Sequence, residues 1–369
     1  MQKSIVLIIR DGWGINPNPD HNAIANAYTP STDLLLKKYP NTILEASGTS
    51  VGLPEGYQGS SEVGHLNIGA GRIVEQEITK ITNNIQDGTF FNSPVFRKAI
   101  KNVIDNNSSL HLMGLVQDEG VHAHQDHLFA IMKHAKEQGV KQLYIHFFAD
   151  GRDSAPKSTI NYLRTLKEKI DEYGIGEIAT FMGRYYAMDR GKEWQLTTRA
   201  YNAITKGEGK KINTEENLED AIQEVYKTKT PNGKDMFDEY IPPLIIGGYE
   251  GLNDGDSVIH FNYRQDRAIQ LTKAFVEDDY PGERWKKFDI VYCGLTRYYD
   301  TFPFNILEPM DDGGGMDNLL SQILSQRGLK QIRISETQKY SHVTSFIDGK
   351  RTEPYPGEEQ IEIKGTFDP

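Results

Sequence analysis

Short apolar, β-branched runs alternate with amphipathic segments of helical period along most of the chain, and this alternation restricts the fold more than any other feature. Strand-like runs fall at 4–9, 110–116, 142–148, 177–182, 257–261 and 288–293. Helical patterns occupy 124–137, 157–173, 197–205, 218–226 and 266–275. Elements that alternate in this way predict an α/β fold of mostly parallel sheets flanked by helices. Ligands of such sheets bind beyond the carboxyl ends of the strands. Attention therefore goes to the loops that follow strands: Asp11-Gly12, residues 117–124, Gly151-Arg152-Asp153 and residues 183–190.

The 369 residues are too many for one ordinary core, so two domains are expected. A quiet boundary lies near 72–76, and Asp311-Asp312-Gly313-Gly314-Gly315 reads as a hinge. A helix over 316–326 and short strands near 331–334 and 342–346 follow it. The sequence then stops at Gly365-Thr366-Phe367-Asp368-Pro369 without a closing element, so the last domain reads as cut short. A net charge of -11 argues against nonspecific nucleic-acid binding, which needs clustered cations. Cys293, the single cysteine, permits no internal disulfide and suits a reducing, cytoplasmic setting. No apolar stretch is long enough to span a membrane. The run at 4–9 lacks a cleavage signal and reads as a buried strand. A monomer acting on a small molecule, with no membrane or nucleic-acid partner, is the expectation.

Chemistry concentrates in a few segments. Asp11 ends the first apolar run and is followed by a turning glycine; it suits a metal ligand, or only a turn former. The segment Gly59-Ser60-Ser61-Glu62-Val63-Gly64-His65 places Ser61 at the opening of a helix. There a serine serves as an N-cap, or as a nucleophile whose phosphate faces backbone N–H groups and the positive end of the helix dipole. The stretch Asp118-Glu119-Gly120-Val121-His122-Ala123-His124-Gln125-Asp126-His127 invites a metal reading. A helix starting near Ala123 would nevertheless put His124 and His127 on one face and leave His122 in the preceding loop. Arg152, Arg184, Arg190, Arg264 and Arg267 all follow strands, and converging guanidinium groups suit a substrate carrying phosphate and carboxylate.

Asp11-Gly12-Trp13-Gly14, Gly52-Leu53-Pro54-Glu55-Gly56 and the Ser61 segment together resemble the opening of cofactor-independent phosphoglycerate mutases, within the alkaline phosphatase superfamily. The resemblance implies that Ser61 is the phosphorylated nucleophile, that Asp11 and Ser61 touch metal, and that His122 contacts substrate. The motifs Gly151-Arg152-Asp153, 183–190 and 262–268 match the family's substrate-binding segments, with Arg152, Asp153, Arg184, Arg190, Arg264 and Arg267 in place. Asp153 is then the group that moves protons between glycerate hydroxyls. Lys339, which alone reads as an exposed loop cation, maps to a phosphate-binding lysine. Ser60 and Ser341 depart from the family pattern, which has asparagine and proline at those places.

The family also implies two divalent ions, manganese by expectation, and no need for 2,3-bisphosphoglycerate. It implies an alkaline-phosphatase-like domain from 1–75 and 313–369, split by an inserted phosphotransferase domain at 76–312. The later Asp and His metal ligands of the family are absent here; the only Asp-His pairs are Asp20-His21 and Asp126-His127. The chain therefore reads as a glycolytic mutase seen in part. Its rivals are a catalytically silent protein that binds phosphoglycerate-like anions, and a metallohydrolase built on His122, His124 and Asp126.

Overall fold

The computed structural model describes residues 4–299, 301–307 and 316–364. It divides into two compact units, one formed by residues 1–76 and 315–369 and the other by 77–314. The hinge expected at 311–315 and the last five residues lie outside the described residues.

The 77–314 unit is built on a seven-stranded sheet. Its strands are β1 (Ser109–Leu115), β2 (Gln142–Ala149), β3 (Glu177–Gly183), β4 (Lys210–Ile212), β5 (Leu244–Ile246), β6 (Ser257–His260) and β7 (Val291–Gly294). They lie in the order β4-β5-β3-β2-β1-β6-β7. All neighbours run parallel except β3 and β5. Strands covered on both faces need near-continuous apolar sequence, and β1 meets that need: every residue after Ser109 is buried. The flanking helix Pro94–Asn106 shows how sequence sets an element. Proline opens it, Asn107 closes it in the left-handed region at φ 47°, and Phe96, Ala99, Ile100 and Val103 recur at helical spacing on its buried face.

A polar line crosses this apolar sheet. Asp256 faces His111 Nε2 at 3.3 Å, His111 Nδ1 meets His146 Nε2 at 3.0 Å, and His146 Nδ1 meets Thr180 Oγ1 at 3.0 Å. Each group satisfies its neighbour, which is what makes such a line tolerable in a core.

In the other unit, β8 (Gln331–Glu336) and β9 (Glu358–Ile363) pair in parallel. The helices Ser61–Ala70 and Leu320–Gln326 accompany them. Two expectations fail here. Residues 4–9 form no strand, and Ile5 and Ile8 are 94% and 78% exposed. A β-branched run becomes a strand only when a neighbour supplies ladder hydrogen bonds, and among the described residues none pairs with it. Residues 342–346 form one wide helical turn instead of a strand. The helix expected over 316–326 begins only at Leu320.

Candidate active site

Ser61 is the first residue of its helix, but Ser60 is the cap: its Oγ accepts the Val63 N–H at 3.3 Å. The Ser61 hydroxyl is thereby released for other partners. It donates to Asp11 Oδ2 at 2.5 Å and accepts from Lys339 Nζ at 2.6 Å, while Lys339 Nζ also lies 2.5 Å from Asp11 Oδ2. Three residues from distant parts of the sequence thus close a triangle of short polar contacts. Burial would raise the Asp11 carboxyl, but hydrogen bonds from Lys339 and Ser61 and the charge of Lys339 outweigh it and hold the group below its usual range. The helix lies flush against the turn that follows Lys339. A Cβ on Gly69 would sit 2.0 Å from the Ile347 carbonyl oxygen, so only glycine permits that approach.

The 77–314 unit gathers its charged groups at the carboxyl ends of β1, β2, β3 and β6. The His122 carbonyl accepts the N–H groups of Tyr263 at 2.8 Å and Arg264 at 3.2 Å, which joins the loop after β1 to the loop after β6. The His122 ring is 4% exposed, with Nε2 3.8 Å from Asp153 and Nδ1 3.6 Å from Asp266. Burial, reinforced by Arg184, Arg264, Arg267 and Arg190, drives its pKa down to about 2, so the imidazole is neutral.

Arg184 donates through Nη1 to Asp153 at 2.6 Å and to Asp150 at 2.5 Å. Arg152 makes a forked contact with Glu239 at 2.8 and 3.3 Å. Arg190 reaches Asp266 at 2.7 Å, Arg264 Nε lies 3.3 Å from the same carboxylate, and Arg267 donates to the Met188 carbonyl at 3.0 Å. Burial lowers the Arg267 pKa, and Arg184, Arg190 and Arg152 add like-charge repulsion. His122 Nδ1 and Arg184 Nε are buried polar atoms with no hydrogen-bond partner among the described residues. A site that crowds guanidinium groups and leaves buried polar atoms unsatisfied is arranged for an anion with oxygens to share.

All ten candidate residues fall in one of these two clusters: Asp11, Ser61 and Lys339 in the first, and His122, Arg152, Asp153, Arg184, Arg190, Arg264 and Arg267 in the second. Asp150, Glu239 and Asp266 were not among the candidates. Asp150 carried the same signal as Asp11, an aspartate before a turning glycine at the end of an apolar run. The histidines near Ala123 part company. His124 caps the helix Gln125–Glu137 through Nδ1, and His127 meets Thr82 Oγ1 at 3.0 Å. Among the described residues no group of three or more His, Cys, Asp or Glu side chains is set to hold an ion.

The family model described as "BPG-independent PGAM N-terminus" matches residues 81–300. A 2,3-bisphosphoglycerate-independent phosphoglycerate mutase of Acetivibrio thermocellus is 44% identical over 367 residues, covering 98% of this chain and 70% of its own length. This chain belongs to that mutase family. A Methanosarcina acetivorans mutase of the family is 46% identical over 368 residues, 98% of this chain and 69% of its own. The fold also matches a crystal structure of Leishmania mexicana phosphoglycerate mutase, obtained at low cobalt concentration, with a TM-score of 0.76 and 29% identity. That alignment covers 96% of this chain and 66% of the Leishmania chain, so the mutase fold described here spans just under two thirds of that relative. No described helix is long and apolar enough to cross a membrane.

Proposed function

We propose that this protein interconverts 3-phosphoglycerate and 2-phosphoglycerate in glycolysis and gluconeogenesis through a phosphoserine at Ser61. The observation that carries the reading is the contact of the Ser61 hydroxyl with both Asp11 and Lys339. Lys339 stabilises negative charge on Ser61 Oγ and on the phosphoryl oxygens that arrive there, and Asp11 accepts the serine proton as Oγ attacks phosphorus. The bond from phosphorus to the 3-oxygen then breaks. Asp153 passes that oxygen a proton and takes one from the 2-hydroxyl, which attacks the phosphoserine. Asp153 ends as it began, and Ser61 recovers its proton from Asp11. Arg152, Arg184, Arg190, Arg264 and Arg267 hold the glycerate carboxylate and phosphate, while neutral His122 offers a hydrogen bond without adding charge.

Asp11 and Ser61 present hard oxygens, and the Lys339 ammonium already lies against both, so the pair suits a divalent cation such as manganese. The described residues supply no donor set for a second ion. Asp11 and Ser61 would hold such a cation, whose chemistry there would be charge neutralisation and a more acidic serine hydroxyl. The family name argues for a reaction without 2,3-bisphosphoglycerate, and the nature of the substrate argues for a cytoplasmic enzyme with a small-molecule partner. Incubation with phosphate-labelled 3-phosphoglycerate and manganese tests the reading. Acid-stable label on the parent chain and none on Ser61→Ala is the expected result; label retained by Ser61→Ala would overturn it.

A further inference from the structure

The mechanism above gives Asp150 no role, yet its carboxylate accepts from Arg184, a member of the arginine cluster. Its carboxylate is 1% exposed, and burying an ionised group at that depth is tolerable only when it is paired and hydrogen-bonded. The pair is Arg184, whose side chain is equally buried, at 2.5 Å. The remaining lone pairs accept backbone N–H groups of the turn after β2: Arg152 and Asp153 at 3.3 Å each through Oδ1, and Ser154 at 2.9 Å through Oδ2. Gly151 turns the chain at φ +73°, with its N–H 3.3 Å from Ser154 Oγ. A Cβ there would meet Asp238 Cβ at 2.8 Å, so the turn is pressed against the segment whose Glu239 takes Arg152.

We infer that Asp150 is a positioning residue that fixes Arg184 and the Arg152-Asp153 turn as one unit. The turn backbone and the guanidinium share a single acceptor, so neither shifts without the other. Arg184 in turn donates to Asp153 Oδ2, the oxygen that lies 3.8 Å from His122. Through Arg184 and the turn, one carboxylate that touches no substrate sets where an anion-binding guanidinium and the proton-moving carboxylate stand.

The inference deepens the proposed function and rests on it for its binding arm. That arm titrates 3-phosphoglycerate by calorimetry into the parent chain, Asp150→Asn, Arg184→Gln and the double variant. Asparagine keeps the volume and one acceptor but removes the charge. The expected result is an affinity loss of more than about tenfold for Asp150→Asn alone and less than about twofold when it is added to Arg184→Gln, because groups acting as one unit are not additive. Independent losses that multiply, or an Asp150→Asn affinity within about twofold of the parent, would overturn the positioning role.

The second arm reads hydrogen exchange and needs no ligand. Arg184→Lys is expected to speed exchange of the Arg152, Asp153 and Ser154 amides about tenfold while leaving the β2 amides unchanged. Unchanged turn amides would overturn the link even if Asp150→Asn fails to fold. A parent chain that binds no 3-phosphoglycerate yet shows this exchange response would sink the proposed substrate and leave the positioning of Arg184 standing.

Discussion

Two adjacent serines divide two tasks: Ser60 caps a helix, and Ser61 meets Asp11 and Lys339. Ser60→Ala should therefore lower stability by about 1 kcal/mol in denaturant melts and keep phosphoserine formation, whereas Ser61→Ala should do the reverse. Lys339→Met should slow phosphoserine formation about 10²- to 10³-fold in rapid-quench labelling, the scale of removing one donor to developing charge; a change under threefold would exclude the role given to Lys339. Ser61 stood out in the sequence because small residues and a helix start surround it. Lys339 did not, since a lysine 278 residues from its partner carries no local pattern, and only likeness to the family marked it. Asp150, like Asp11, precedes a turning glycine at the end of an apolar run, a weak signal taken alone. Its burial and its pairing with Arg184 exist only in the folded chain.

At the scale of elements, the long strands of the seven-stranded sheet were readable because both faces are covered and their sequence is mostly apolar. β4, β5 and β9 were not foreseen. The first two are three residues each, and β9, Glu358–Ile363, opens on three polar residues and has only Ile361 and Ile363 as apolar ones. The run at 4–9 erred the other way, since β propensity records a fit to a neighbouring strand and not an independent preference. Buried histidines of the same unit predict acid sensitivity. Burial holds His260 at about 3, and burial with the charge of His124 holds His127 at about 3, while burial and His111 keep His146 well below 6.5. Unfolded, such rings titrate near 6.5, so between about pH 6.5 and 3 the unfolded chain binds more protons than the native one. Stability is then fully present above about pH 6.5 and falls as pH drops, by about 1.4 kcal/mol per pH unit for each ring. Denaturant melts between pH 6.5 and 4 should show this slope, and His260→Gln should remove about one ring's share; an unchanged slope would contradict the assignment.

For the whole molecule, the α/β class and the excursion of residues 77–314 out of the first unit are the main architectural facts. Ile332, Ile334 and Ile363 lie on one face of the β8–β9 pair, each 56–57% exposed, and Ile5 and Ile8 are more exposed still. Exposed apolar faces drive association, so the purified chain should bind a hydrophobic dye and self-associate in sedimentation, and Ile332→Lys with Ile334→Lys should reduce both. No reduction would mean that these side chains are not the sticky surface. The excursion also sets an order of events during synthesis. Asp11 and Ser61 leave the ribosome before every residue of the seven-stranded sheet, and Lys339 leaves after them. The nascent chain can complete that sheet while its first 76 residues wait for the strands and the lysine that belong with them.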